Sequence, residues 1–281
     1  MSILNDEVIS MIKQNKSITF SGSEGLIFLC GDMALKEFHS NGAGYFNQTI
    51  SDSTDRSYIS EQLRNICDRT NALRDKYCVK TPEMLDYYVK YDFPDIKTYL
   101  LMKKAEGIPA YTHNRRVVEY YMPDLQPMSP EGSVADAYSY YMAKKLCDAD
   151  QGHFTKLVED CLNINNDEKI AIDPWGQNLY YDDKRGFSIL DLRVLADNVY
   201  TPERTQDSIV HNVCSTVFDY LTNITSHVNA EIKDNEKSFK FLSPVYEKTI
   251  NGLNKSGISK DMVRSKYKDY YYVADYVERI K

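Results

Sequence analysis

Apolar side chains recur with helical spacing at Leu4, Val8, Ile9, Met11 and Ile12, which predicts a short amphipathic helix over residues 4–14. The period then changes. Residues 18–20, 26–30 and 33–38 are short apolar runs separated by Ser21-Gly22-Ser23-Glu24-Gly25 and by Gly31-Asp32, the pattern of three antiparallel strands joined by tight turns. A mostly polar stretch, 41–56, leads into a helix predicted over 57–76 with Ile59, Leu63, Ile66 and Leu73 on one face. Two more strands are expected at 84–91 and 97–103, before a break at Gly107-Ile108-Pro109.

Beyond Ser133 the spacing of three and four dominates, predicting helices over 134–148 and 154–163, and later over 207–228, 239–254 and 260–280. Between these groups lie two short strand patterns, 179–181 and 187–190, joined by a turn at 182–186. No repeat of 20 to 50 residues is visible. The reading is an α+β protein: a small antiparallel sheet with one main helix over 1–103, and a mostly helical part over 104–281, divided at about residues 103–112.

Composition narrows the chemistry. The 281 residues are 42% hydrophobic and 27% charged, enough apolar content for one large core or two smaller ones. No stretch approaches the roughly 20 apolar residues that span a bilayer. Residues 1–14 mix Asn5, Asp6, Glu7 and Lys13 among their apolar positions, unlike a secretory signal, so a cytoplasmic protein is expected. Six cysteines without a Cys-x-x-Cys pair are expected to be reduced thiols. A net charge of −7 argues against nonspecific binding to nucleic acid or anionic membranes, and requires any polyanionic ligand to be held by local cations, amides or metal. The 23 tyrosines read as structural or interfacial. The five dispersed histidines lack metal-ligand spacing, and Ser21-Gly22-Ser23 lacks the Gly-x-Ser-x-Gly frame of a hydrolase nucleophile.

The most informative passage runs Ile172-Asp173-Pro174-Trp175-Gly176-Gln177-Asn178-Leu179, then Gly186-Phe187-Ser188-Ile189-Leu190-Asp191. Asn178 lies five residues beyond Asp173, and Asp191 thirteen beyond Asn178. This resembles the catalytic loop and metal-binding strand of protein kinases. Phosphoryl transfer needs one carboxylate to orient the attacking hydroxyl, and an amide oxygen with a second carboxylate to hold Mg²⁺ against the phosphates. The resemblance gives the first role to Asp173 and the second to Asn178 and Asp191. Read without it, the same residues are a surface loop with a turn at Asp173-Pro174.

Earlier segments appear in the same superfamily's order. Gly22-Ser23-Glu24-Gly25 followed by Ala34-Leu35-Lys36 resembles a glycine-rich loop and its strand lysine. Glycines let backbone N–H groups approach phosphate, and a lysine neutralises it as a point charge. The plain alternative is a hairpin with a surface lysine, and two glycines are fewer than the usual three. The run Tyr99-Leu100-Leu101-Met102-Lys103-Lys104-Ala105-Glu106-Gly107 resembles the strand and hinge where adenine docks, with Met102 at the gatekeeper position and Lys104 in the hinge. Glu61 is the acid expected to pair with Lys36, with Asp68 the runner-up.

The resemblance covers about residues 16–193 and implies a bilobal protein-kinase-like fold using ATP and Mg²⁺. It is closest to the NleH/OspG-type effector Ser/Thr kinases, whose catalytic loops also lack His-Arg before the Asp; Ala171 and Ile172 stand there. That resemblance implies delivery into a host cell and phosphorylation of a host signalling protein. Three features depart from the pattern. Leu192-Arg193 replaces Phe-Gly, the stretch to Thr201-Pro202-Glu203 is too short for a phosphorylated activation loop, and 204–281 carries no kinase motif. Two rivals stay open: an aminoglycoside-type phosphotransferase, with Asp219, Glu231, Asp234 and Glu236 forming an acidic pocket, and a pseudokinase binding module.

Overall fold

A computed structural model describes residues 3–21, 25–38, 56–92, 95–127, 129–130, 132–168, 171–172, 178–190, 192–193, 206–266 and 270–279. The chain divides into two units, Met1–Ala105 and Glu106–Lys281.

In the first unit, β1 (Ile18–Ser21), β2 (Gly25–Cys30), β3 (Met33–Phe38), β4 (Met84–Asp92) and β5 (Asp95–Lys103) form one antiparallel sheet in the order β1-β2-β3-β5-β4. Helix α2 (Arg56–Tyr77) is inserted between β3 and β4, and α1 (Asp6–Gln14) precedes the sheet. Strand alternation splits the apolar residues between two faces. Phe28, Leu35, Tyr99 and Leu101 pack with Leu4, Ile9 and Ile12. The other face packs Met84, Tyr87, Val89, Leu100 and Met102 against Ile59, Leu63 and Cys67 of α2. Each face therefore carries an apolar cluster. Each fully buried aliphatic side chain, such as Leu35, Ile59 and Leu63, contributes about 1.5–3 kcal/mol of burial.

Polar anchors fix both helices. Asp86 Oδ2 accepts the backbone N–H groups of Ile3 (2.5 Å) and Leu4 (2.6 Å), beside a bulge between Met84 and Asp86. Asn5 caps α1 by accepting from Val8 N–H. Lys13 pairs with Glu37 and lies 5.1 and 5.0 Å from the Phe28 and Tyr99 ring centres. On the other side, the Asn71 amide donates to Met84 O (2.8 Å) and accepts from Met84 N–H (2.9 Å), which sets the height of α2 over β4. Cys67, rather than the expected Ile66, completes the buried stripe, and burial pushes its thiol up to about 12.

The second unit contains α3 (Arg115–Tyr121), α4 (Val134–Asp148), α5 (Gln151–Glu168), α6 (Gln206–Ile232), α7 (Asn235–Lys255), α8 (Lys260–Lys266) and α9 (Tyr271–Arg279). Ser133 and Asp136 close a capping box at the start of α4. Helices α4, α5, α6 and α7 pack on one another around Tyr138, Met142, Leu146, Phe218 and Tyr246. Where one helix is expected over 260–280, the described residues form α8 and α9, with Tyr270 outside both and residues 267–269 outside the described residues. Tyr270 meets Phe218 (ring centres 5.6 Å apart), and Tyr276 stacks on Tyr246 at 4.0 Å. No helix among the described residues is long and apolar enough to cross a membrane. All six cysteines are described, and none is in a disulfide.

Two small sheets complete this unit: β6 (Ile108–Pro109), β8 (Leu179–Asp182) and β9 (Gly186–Ile189) in the order β6-β8-β9, and β7 (Ala171–Ile172) paired with β10 (Leu192–Arg193). The expected break at 107–109 is instead an edge strand, a position that tolerates Pro109. Gly107 makes it possible, with φ +84° and a backbone so close to β8 that a Cβ would overlap the Tyr181 carbonyl oxygen. The α+β arrangement expected from the protein-kinase-like resemblance is the one observed: a small antiparallel sheet with one main inserted helix, then a mostly helical part.

Candidate functional site

In the first unit, Lys36 lies mid-strand on β3, opposite Ile27 of β2 and Leu100 of β5. Directly opposed residues share a sheet face, so Lys36 stands with Leu100 on the side that α2 covers. Its Nζ is 4.8 Å from the Phe38 ring centre, within cation–π range. Met102, on the same face, is opposite Ala34 and Met84 and packs in the α2-facing cluster. Lys104 N–H donates to Asp32 O at 2.7 Å, tying the end of β5 to the β2–β3 turn. Gly25 opens β2 opposite Phe38, and a Cβ there would overlap the Glu37 carbonyl oxygen, so close strand approach alone requires glycine. Gly22 and Ser23 lie outside the described residues.

Glu61 is exposed on α2. Ile59 and Leu63, two residues to either side, are fully buried against the sheet, and residues two apart on a helix point in different directions. Pairing with Lys36 requires the Glu61 side chain to reach around the helix. Glu61 and Asp68 both act on the exposed Arg64, which also donates to Tyr87 OH at 3.0 Å.

In the second unit, Asn178 immediately precedes β8, and its carbonyl accepts Leu190 N–H at 2.8 Å, extending the β8–β9 hairpin by one bond. Antiparallel β7 and β10 pair Ile172 with Leu192 and Ala171 with Arg193. Asp173 and Asp191 lie outside the described residues, but Ile172, which precedes Asp173, and Leu190 and Leu192, which flank Asp191, are described. Two described contacts thus tie together the covalent neighbours of both aspartates and Asn178 itself. The pairing with β7 also gives Leu192 and Arg193 a sheet role.

Aromatic packing supports this region. Tyr180 and Tyr181 are buried on β8, Phe187 on β9 packs on Phe154 (5.4 Å), and Tyr181 OH lies 3.2 Å from His153 Nδ1. Desolvation of the Tyr180 and Tyr181 phenols pushes each up to about 12, leaving both neutral. Tyr138 OH donates to Pro109 O at 2.7 Å, holding β6 to α4.

Sequence reasoning passed over one polar chain. Asp136 Oδ1 lies 2.6 Å from His227 Nδ1, and His227 Nε2 lies 2.8 Å from Tyr111 OH. Burial works to raise the Asp136 carboxyl, but bonds from Ser133 and His227 outweigh it and hold the group below the usual carboxylate range. Burial, then the Asp136 charge, raises the Tyr111 phenol. The legible signal was the Ser133-x-x-Asp136 capping spacing; nothing local marks His227 or Tyr111. Two acids of the proposed cationic-substrate pocket have structural partners: Asp234 caps α7, and Glu236 pairs with Arg279 at 2.6 Å.

No protein-family model matches the chain, and no curated protein matches it in sequence. Solved structures do match. WaaP in complex with acyl carrier protein aligns over 94% of this chain and 92% of that chain, at TM-score 0.36 and 11% identity. A complex of Neurospora crassa PAN2 (WD40-CS1) with PAN3 (pseudokinase and C-term) aligns over 94% of this chain at TM-score 0.42 and 11% identity. The Neurospora crassa PAN3 pseudokinase mutant also aligns over 94%, at TM-score 0.44 and 11% identity. The chain spans 61% and 62% of these last two chains. At such identities, function has to be read from this chain's own residues.

Proposed function

We propose that this chain is an ATP-dependent phosphotransferase that uses Mg²⁺ to move the γ-phosphate onto a Ser or Thr hydroxyl of a protein. The observation that carries this reading is the pairing of Ile172 with Leu192 together with the Leu190-to-Asn178 bond, which draws the neighbours of Asp173 and Asp191 toward Asn178. Oxygen donors of the Asn and Asp types suit Mg²⁺, which prefers hard oxygen ligands. When bound, the metal would neutralise charge on the phosphate oxygens. Asp173 would orient the attacking hydroxyl and accept its proton. Asn178 and Asp191 would hold the metal, and Lys36 would contact the phosphates, with backbone N–H groups of Gly22, Ser23 and Gly25 beside them. Met102 and Lys104 would border the adenine.

The finer reading follows the NleH/OspG resemblance: an effector kinase acting in a host cell on a signalling protein. The aminoglycoside alternative has less support, since Asp234 and Glu236 are engaged within the fold. A pseudokinase would have no need to retain Lys36, Asp173, Asn178 and Asp191 together. One assay separates the three: labelled ATP and Mg²⁺ offered with a generic protein substrate and, separately, with aminoglycosides. Label in protein supports the proposal, label in the aminoglycoside supports the rival, and ATP binding without transfer by wild type and Asp191→Ala alike supports the pseudokinase.

A further inference from the structure

Tyr111, Asp136 and His227 come from three places in the second unit: the segment after β6, the first turn of α4, and the last third of α6. Their polar atoms form one continuous chain. The second Asp136 oxygen accepts both the Ser133 N–H (3.1 Å) and the Ser133 hydroxyl (2.7 Å), leaving Oδ1 for His227 Nδ1. A carboxylate can only accept, so Nδ1 carries a proton; in the neutral imidazole Nε2 then accepts the Tyr111 O–H. Tyr111 is 6% exposed, and a buried phenol is ordinarily held by a partner of this kind.

This chain ends beside the candidate site by backbone connection. Pro109 is opposite Tyr180, Ala110 N–H donates to Leu179 O at 2.7 Å, and the next residues outward are Tyr111 on one strand and Asn178 on the other. Strand β6 has only two residues, too few for backbone pairing alone to fix its end. We infer that Tyr111, His227 and Asp136 are positioning residues, a three-member clasp that holds the open end of the β6–β8 ladder where the strand beginning at Asn178 starts. Its effect on phosphate transfer rests on the proposed function; its effect on the ladder does not.

Amide hydrogen exchange on the full chain without ligand tests the clasp. Tyr111→Phe and His227→Gln should each speed exchange of the Ala110 and Leu190 amides about 3- to 10-fold, the range for one lost hydrogen bond. Amides of β3 and β5 should not change. The double variant should exchange no faster than the faster single one, because both cut the same chain. Thr225→Val, which removes a buried 2.8 Å bond to Tyr246 elsewhere in the unit, is the control for general destabilisation and should leave those two amides alone. In the transfer assay, Tyr111→Phe should raise the KM for Mg-ATP by a similar factor, and Thr225→Val should not. Unchanged exchange at Ala110 and Leu190, or additive effects in the double variant, would overturn the clasp. Clasp-dependent exchange in a wild-type protein that transfers no phosphate would uphold the clasp and overturn the proposed function.

Discussion

Lys36 and Asn178 stand on scaffolds of different kinds. Lys36 sits between two ladder partners in a five-stranded sheet with an apolar cluster on each face, so its place is over-determined by many backbone bonds and two apolar clusters. Asn178 stands at the mouth of a four-residue strand, next to a two-residue edge strand and a two-pair ladder. Side chains such as Tyr138 and the aromatics behind β8 and β9 make up the difference there. Damage to the apolar packing of the first region should therefore register as lost stability, whereas damage to the second should register as a misplaced site in a folded protein.

The largest expected effects fall on the chemistry. Lys36→Ala and Asp173→Asn should each lower γ-phosphate transfer by about 10²–10⁴-fold, the range for removing a charge-stabilising or proton-accepting group. Their urea midpoints should stay near wild type; a parallel loss of stability would assign either residue to the fold instead. Next in size is the core of the first unit: Leu35→Ala or Leu63→Ala should cost about 2–5 kcal/mol in urea denaturation. Tyr138→Phe in the second unit should cost only about 0.5–1.5 kcal/mol. It should nevertheless impair transfer more than its stability cost suggests, because it releases β6. If Tyr138→Phe behaved like a mild core variant with full activity, the contrast between the scaffolds would fail.

The first scaffold was legible in the sequence for the same reason that it is robust. The short apolar runs at 18–20, 26–30 and 33–38 report strands with apolar residues on both faces, and the spacing of Ile59, Leu63 and Leu73 reports a helix lying on one of them. The second was only partly legible. A two-residue strand containing Pro109 has no periodicity to detect, and the seven-residue α3 is marked mainly by Asn114, whose side chain accepts Arg116 N–H. The Asp136–His227–Tyr111 chain joins residues 91 and 116 positions apart, a relation no local pattern carries. The candidate site residues rest on order and spacing alone, and of these Asp173, Asp191, Gly22 and Ser23 lie outside the described residues.

Two smaller effects sharpen the same contrast. The Asp136 carboxyl is held low in the folded state, so the unfolded chain binds its proton first as pH falls. The stability it supplies is complete above the ordinary carboxylate pKa of about 3.9, and it is lost as pH drops through the lower folded value. Wild type should thus lose stability relative to Asp136→Asn on acidification below about pH 4, and parallel acid-unfolding curves would remove Asp136 from this role. The smallest effect is a difference in labelling. Exposed Cys78 should react with a thiol reagent in the native protein well before Cys67, which is buried and has its thiol raised to about 12.

Paramagnetic Mn²⁺ supplied with ATP in place of Mg²⁺, read by NMR line widths, tests the gathering of the metal ligands most directly. The proposed site predicts broadening of the Asn178 side-chain amide and of the Ile172, Leu190 and Leu192 backbone amides, abolished by Asp191→Ala. Sharp signals from all four residues at saturating Mn²⁺ and ATP would contradict it.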